Sequence, residues 1–322
     1  MNKQTNLWTN KYFVGVAAVA ACILWGSAFP VLKVTYAELG LGPDDTASRV
    51  VLAGGRFLLA ALLLFGFIKW ILRRPVGITR EYVGPVVILG LLQTGLQYYF
   101  FYNGIAFTEG VKGAVLNAVG NFFVVIAAHF IYRDDRINPG KLVGIATGFA
   151  GIVLINWHGQ AGISWGMTFR GEGFLVLSSL VSTAGTFQAK RLGRTLDPVL
   201  INGYQLLFGS LVLLAVGVPG VVGRSPQFTP LFWGLFMYSA ALSAAAFSLW
   251  YYLLKYNKAG EITLYRFVIP VSGAVLSALV LPGESLSPAA LVALALVAFG
   301  IAAVNRWRKP ETSPLDRDKF PE

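Results

Sequence analysis

Charge, cysteine and histidine are all scarce in this chain of 322 residues. Charged residues make up 13%, against about 25% in an ordinary soluble domain. That scarcity excludes a disordered chain and a basic nucleic-acid-binding domain. A single cysteine, Cys22, excludes an intrachain disulfide. The two histidines, His129 and His158, form no H-E-x-x-H and no metal-spaced cluster with cysteine, so no metal centre is expected. A Walker A loop is also missing. All 15 acidic residues fall in loops, tails or the ends of apolar runs. An intramembrane hydrolase would lack its carboxylates. So would an antiporter that exchanges cations or protons on a membrane-embedded acid. No enzyme activity and no cofactor are expected.

What the chain has instead is apolar length, with hydrophobic residues at 56%. Runs long enough to span a bilayer recur at 12–33, 49–71, 82–105, 108–131, 140–156, 172–190, 198–218, 231–254, 260–281 and 289–305. A span needs about 20 such residues. The reading is an all-α polytopic membrane protein with ten transmembrane helices, whose first partner is the lipid bilayer. Val19-Ala20-Ala21-Cys22 looks like a lipoprotein cleavage box, but the run stays apolar to Leu32. It reads as a retained span with a small buried thiol.

The net charge of +11 has a topological explanation. If the N-terminus is inside and the spans alternate, 19 of the 26 Lys and Arg fall in inside segments and 5 outside, with Arg56 and Arg266 within spans. Cytoplasmic segments hold the excess of cations. Both termini are therefore expected in the cytoplasm, in a cell (inner) membrane, and no nucleic acid is needed to account for the charge. Residues 306–322 would be a polar cytoplasmic tail.

An internal repeat is present. Gly151-Ile152-Val153-Leu154-Ile155-Asn156 resembles Gly300-Ile301-Ala302-Ala303-Val304-Asn305 at an offset of 149. The same offset pairs Pro139 with Pro288, Asp135 with Glu284 and Tyr102 with Tyr251. The first and sixth spans match at 157, through Lys33 and Lys190. Residues 12–156 and 172–305 are thus two five-helix repeats. Five is odd, so the halves must insert with opposite orientation. Inverted repeats place a substrate site near the midplane between the halves.

Several motifs then carry a resemblance. These are Trp25-Gly26-Ser27-x-Phe29 in span one and Arg56-Phe57-Leu58 in span two, with Pro270, Gly283-Glu284 and Gly300 in the second half. The chain resembles the EamA-type transporters of the drug/metabolite transporter superfamily over residues 12–305. The resemblance implies transport of small metabolites, often export of amino acids or related compounds. Two departures stand in the first half. Asn121 occupies the repeat position of Pro270, and Asp135 replaces the usual glutamate.

Polar residues inside the spans are candidate binding groups. A lipid-facing amide would be left unpaired in hydrocarbon, so the Gln93/Gln97 face and the Asn117/Asn121 face should point inward. Ser182, Thr186 and Ser243 should do the same, beside Trp25 and Tyr265. Intramembrane cations are functional candidates by default. Arg266 is a candidate carboxylate anchor or a snorkelled residue, and Arg56 a structural or gating residue. Gly26 and Pro30, four apart, can bend span one, and Pro270 belongs to the same gating set. Gly144-x-x-x-Gly148 suits close helix packing, and a homodimer is possible although a monomer suffices. The expected function is secondary transport of a small neutral or zwitterionic, amino-acid-like metabolite, exported by alternating access. The alternatives are a nucleotide-sugar or drug carrier of the same fold, or a non-transporting scaffold or receptor.

Overall fold

The structure is a computed structural model that describes residues 7–42, 44–108, 110–156, 168–223, 226–282 and 288–307. His158, Gly283-Glu284 and the tail from Arg308 lie outside the described residues. Ten helical spans follow one another among those described. They are α1 (Lys11–Glu38), α2 (Thr46–Ile71), α3 (Arg80–Ala106), α4 (Gly110–Ile131) and α5 (Pro139–Asn156) in the first half. The second half holds α6 (Phe174–Leu192), α7 (Pro198–Val221), α8 (Pro230–Tyr256), α9 (Ala259–Val280) and α10 (Pro288–Arg306).

Local chemistry explains where these helices begin. The Asn10 side chain accepts from the backbone of Tyr12 and Phe13 at the start of α1. Asp197 accepts from Val199, with Pro198 in the first turn of α7. Thr229 caps Phe232 ahead of α8. Each cap satisfies a donor that the first helical turn leaves free. Seven spans are long and apolar enough to cross a membrane, while α4 and α5 contribute the shorter apolar stretches Leu116–Ile131 and Pro139–Leu154. The remaining span, α6, is diluted by buried hydroxyl residues. Two of these return their hydrogen bonds to the helix itself, Thr183 Oγ1 to the Ser179 carbonyl at 2.8 Å and Thr186 Oγ1 to the Ser182 carbonyl at 3.0 Å, while Ser178 Oγ donates to the Gln97 carbonyl of α3 at 2.9 Å.

The packing obeys the repeat. α2 lies on α7, and α5 on α10, so each of these helices meets its own counterpart. α1 packs on α8 and α9, and its counterpart α6 packs on α3 and α4. Exchanging the halves turns each contact into another, as a two-fold axis does. With five spans per half, that axis lies in the membrane plane. The α5–α10 seam is closed by small residues: a Cβ on Gly300 would sit 3.2 Å from Gly144 Cα. Gly148 is pressed against the Phe267 ring. Gly144-x-x-x-Gly148 is therefore filled from within the chain. Large apolar side chains on the outside, such as Phe130 and Trp70, are exposed, as a lipid-facing surface requires.

The two ends of the bundle differ. On the face bearing the N-terminus, residues 257–265 are buried throughout. Lys141 Nζ donates to Asp135 Oδ1 at 2.5 Å and to the carbonyls of Asp135 and Arg136 at 2.8 and 2.9 Å. Asp135 Oδ2 accepts from Gly260 N at 2.8 Å, at the start of α9. Lys190 Nζ donates to the carbonyls of Leu254, at 2.9 Å, and Asn257 at the end of α8. Asn257 Nδ2 in turn donates to the Trp8 carbonyl at 3.0 Å. His129 accepts from Ile137 N at 3.1 Å and so shapes the α4–α5 turn.

Candidate substrate-binding cavity

A cavity of about 170 Å³ lies where α1, α2, α3, α4, α8 and α9 meet. Its aromatic wall is built around Trp25, whose ring stands edge-on to Phe247 at 5.1 Å and to Trp250 at 5.3 Å. Tyr98, Phe101 and Tyr102 of α3 add to that wall. The polar lining comes from Gln93, Gln97, Asn117, Ser243, Arg56 and Arg266. Gln93 is positioned by a π-helical turn over Leu91–Leu96, an irregularity that recurs at functional sites. Asn117 is exposed, so the cavity is open on its side. On the N-terminal face, the segment 257–265 that leads into the lining residue Arg266 is buried throughout.

The cavity straddles the two-fold. Gln93 and Leu242, Tyr98 and Phe247, Phe101 and Trp250, and Asn117 and Arg266 all line it, and each pair is one repeat of 149 apart. Where the halves differ is equally informative. Arg56 lines the cavity from α2, whereas its counterpart Gln205 is sealed away. Gln205 Oε1 accepts from Thr94 Oγ1 at 2.6 Å, and its Nε2 donates to Asn202 Oδ1 at 3.0 Å. Asn202 Nδ2 donates to the Ala244 carbonyl and to Ser248 Oγ. Three buried atoms on cavity residues have no hydrogen-bond partner: Trp25 Nε1, Arg56 Nε and Gln93 Oε1. A buried polar atom left unpaired costs about 1–3 kcal/mol, which a bound polar ligand can recover.

Two stretches of the chain, residues 13–157 and 169–306, match the model of the EamA-like transporter family. This chain belongs to the EamA-like transporter family. An uncharacterized inner membrane transporter of Escherichia coli, YedA, is 27% identical over 94% of this chain and 95% of its own. The uncharacterized transporter sll0355 of Synechocystis sp. is 26% identical, covering 91% of this chain and 89% of its own. A crystal structure of a protein at 18% identity superposes with a TM-score of 0.73 over 90% of this chain and 97% of that one. At that identity the likeness concerns the fold.

The EamA-like motifs have distinct places in this fold. Trp25 and Phe29 line the cavity, and Ser27 Oγ is 2.7 Å from Tyr238 Oη on α8. Gly26 presses α1 onto α9: a Cβ there would lie 2.9 Å from Gly273 N and would overlap Ser272 Oγ. Pro30 lies inside α1 and is buried. Pro270 sits on α9 away from the cavity lining.

Of the residues expected at the site, Trp25, Gln93, Gln97, Asn117, Ser243 and Arg266 are brought together, with Arg56. Asn121, Ser182 and Thr186 are buried and do not line the cavity. Tyr265 is turned to α10, where its hydroxyl bonds Asn305 Oδ1 at 2.9 Å. Sequence reasoning missed Tyr98, Phe101, Phe247 and Trp250. Their spacing by one repeat was the available signal. Gly162-Ile163-Ser164-Trp165-Gly166 fits the G-x-S-x-G spacing but lies outside the described residues. That motif needs a strand before it and a helix after it, and the last described element before residue 157 is α5.

Proposed function

We propose that this EamA-like transporter exports a small neutral or zwitterionic, amino-acid-like metabolite by alternating access. The observation that carries the reading is a central cavity lined by repeat-related pairs, beside an end of the bundle tied by buried hydrogen bonds. Arg266 anchors the substrate carboxylate, and Gln93, Gln97 and Asn117 supply donors and acceptors for the rest. The aromatic wall accommodates an ammonium group through ring faces. A volume of about 170 Å³ is below the roughly 300–1,000 Å³ of pockets that take drug-sized ligands. Size therefore favours a metabolite over a drug or a nucleotide sugar.

Symmetry supports the alternation. In this state α1 and α2 line the cavity, while α6 and α7 carry their counterparts buried. Exchanging the conformations of the halves would bury Arg56 and bring Ser182 and Thr186 to the cavity. The distribution of Lys and Arg supports cytoplasmic termini, so the closed face is the cytoplasmic one and the state described faces outward. One chain holds the whole cavity, so a monomer suffices. The test is flux in proteoliposomes: amino-acid-like substrates should be carried by the wild type and not by empty vesicles. Absence of flux for every amino-acid-like compound would overturn the reading.

A further inference from the structure

We infer that the metabolite carries two anionic groups, one met by Arg56 and one by Arg266, as in a dicarboxylic amino acid or a small dicarboxylate. This rests on the transport reading above and revises its substrate from a neutral or zwitterionic metabolite to an anionic one. Placing a guanidinium within a membrane span is costly, and proteins ordinarily offset the cost with a carboxylate partner. Here neither arginine has one. Among the described residues no acidic side chain lines the cavity, and none lies within ion-pair distance of Arg56 or Arg266. Arg56 is 5% exposed, its Nε has no partner, and its guanidinium lies 4.5 Å from the Phe57 ring centroid. Its electrostatic neighbours are phenols, Tyr36 and Tyr98. Tyr98 is also within the field of Arg266, which puts the two cations on one cavity.

Three acids at the ends of the spans are engaged elsewhere. Asp135 holds Lys141, Asp197 caps α7 beside Arg74, and Glu38 accepts from Thr229 Oγ1 at 2.5 Å. Nor does the fold itself require the charges. At the repeat position of Arg56 stands Gln205, satisfied by Thr94 and Asn202. At the repeat position of Arg266 stands Asn117, a neutral amide. Each half therefore accommodates a neutral residue where the other has a cation, and both cations face the same cavity.

They also enter at different depths. Arg56 is ten residues past the first residue of α2 and Arg266 seven past that of α9, spans that start from opposite faces. At about 1.5 Å per residue these are roughly 15 and 10 Å from opposite ends. Two separated guanidiniums suit a ligand with anionic groups at both ends better than a single carboxylate.

The experiment compares counterflow of radiolabelled glutamate, succinate and glutamine in proteoliposomes, with wild type, Arg56→Gln, Arg56→Lys and Arg266→Gln. Glutamine differs from glutamate only in losing one anionic group. Charge-assisted hydrogen bonds predict that wild type prefers glutamate over glutamine by about ten- to a hundredfold. Arg56→Gln, which copies the residue found at position 205, should lower glutamate flux far more than glutamine flux and so erase that preference, and Arg56→Lys should keep part of it. Arg266→Gln should lower flux of all three. Competition on the wild type alone gives an independent reading should a variant fail to fold. Glutamine carried as well as glutamate overturns the two-anion assignment and leaves the transport reading standing. No flux of any of the three probes overturns the two-anion assignment, and the transport reading falls with it only when every other amino-acid-like compound also fails.

Discussion

Gln93 donates from Nε2 to Oε1 of Gln97 at 3.1 Å, one helical turn away on α3. The bond orients both amides on the cavity wall and leaves Gln93 Oε1 without a protein partner. A substrate N–H can then be read by Gln93, and the remaining donors of Gln97 by a substrate oxygen. Gln97→Ala should lower flux by roughly ten- to a hundredfold, the range of one or two polar contacts. Thermal unfolding in detergent should change little, because the cavity already leaves these amides only partly satisfied. Wild-type flux in a well-folded Gln97→Ala would make the pair interhelical glue.

The ten spans and the repeat were legible because they rest on patterns that few other forces can override. Long apolar runs and a constant offset account for the ten spans and for their pairing across the halves. The neutral polar faces were legible too, since an amide has no partner in lipid. What could not be read was which of those faces meets the cavity. Ser182 and Thr186 point inward, yet they are packed against neighbouring helices and do not line the cavity, and residue type alone does not separate a buried hydroxyl from a lining one. Tyr265 shares the inward face but has a nearer partner in Asn305. Trp250 and Phe247 read as apolar filling, since nothing in a hydrophobic run separates a wall from a core.

The closed face invites a second prediction. Lys141 and Asp135 are both 1% exposed, and removing one member of such a pair leaves the other charged and buried. Lys141→Met should cost about 3–5 kcal/mol of stability, seen as a lowered unfolding midpoint. Lys141→Met with Asp135→Leu should cost less than the two single changes together. Since Asp135 also receives Gly260 N, either single change should loosen the start of α9. Faster hydrogen exchange there would show it; unchanged exchange and midpoint would remove the latch from the account.

Gly26 gives a third prediction. The α1–α9 contact leaves no room for a side chain beside Ser272 and Gly273. Gly26→Val should push the two helices apart at the cavity edge, lowering flux at least tenfold while the protein still inserts and purifies. Gly84 faces open space, so Gly84→Ala serves as the control with near-normal flux. Equal flux for both variants would mean that the approach of α1 to α9 does not matter to transport.

The last prediction concerns the exchange of states. In the structure Asn117 is exposed on the cavity, and Ser182 is 6% exposed. With Cys22 replaced by Ala, single cysteines at these positions report access to water. Asn117→Cys should react with a membrane-impermeant thiol reagent added from outside, and Ser182→Cys should not. If the halves exchange conformations, Ser182→Cys becomes reactive toward reagent supplied from the cytoplasmic side as the transporter cycles. Asn117→Cys loses reactivity in proportion, because one population is drawn from the other. Weakening the Asp135–Lys141 latch should instead act without substrate: Lys141→Met should raise the reactivity of Ser182→Cys from one side of the membrane and lower that of Asn117→Cys from the other. The reciprocity is the decisive feature. If substrate or latch changes alter one site and leave the other untouched, the helices move locally and the two halves do not trade places.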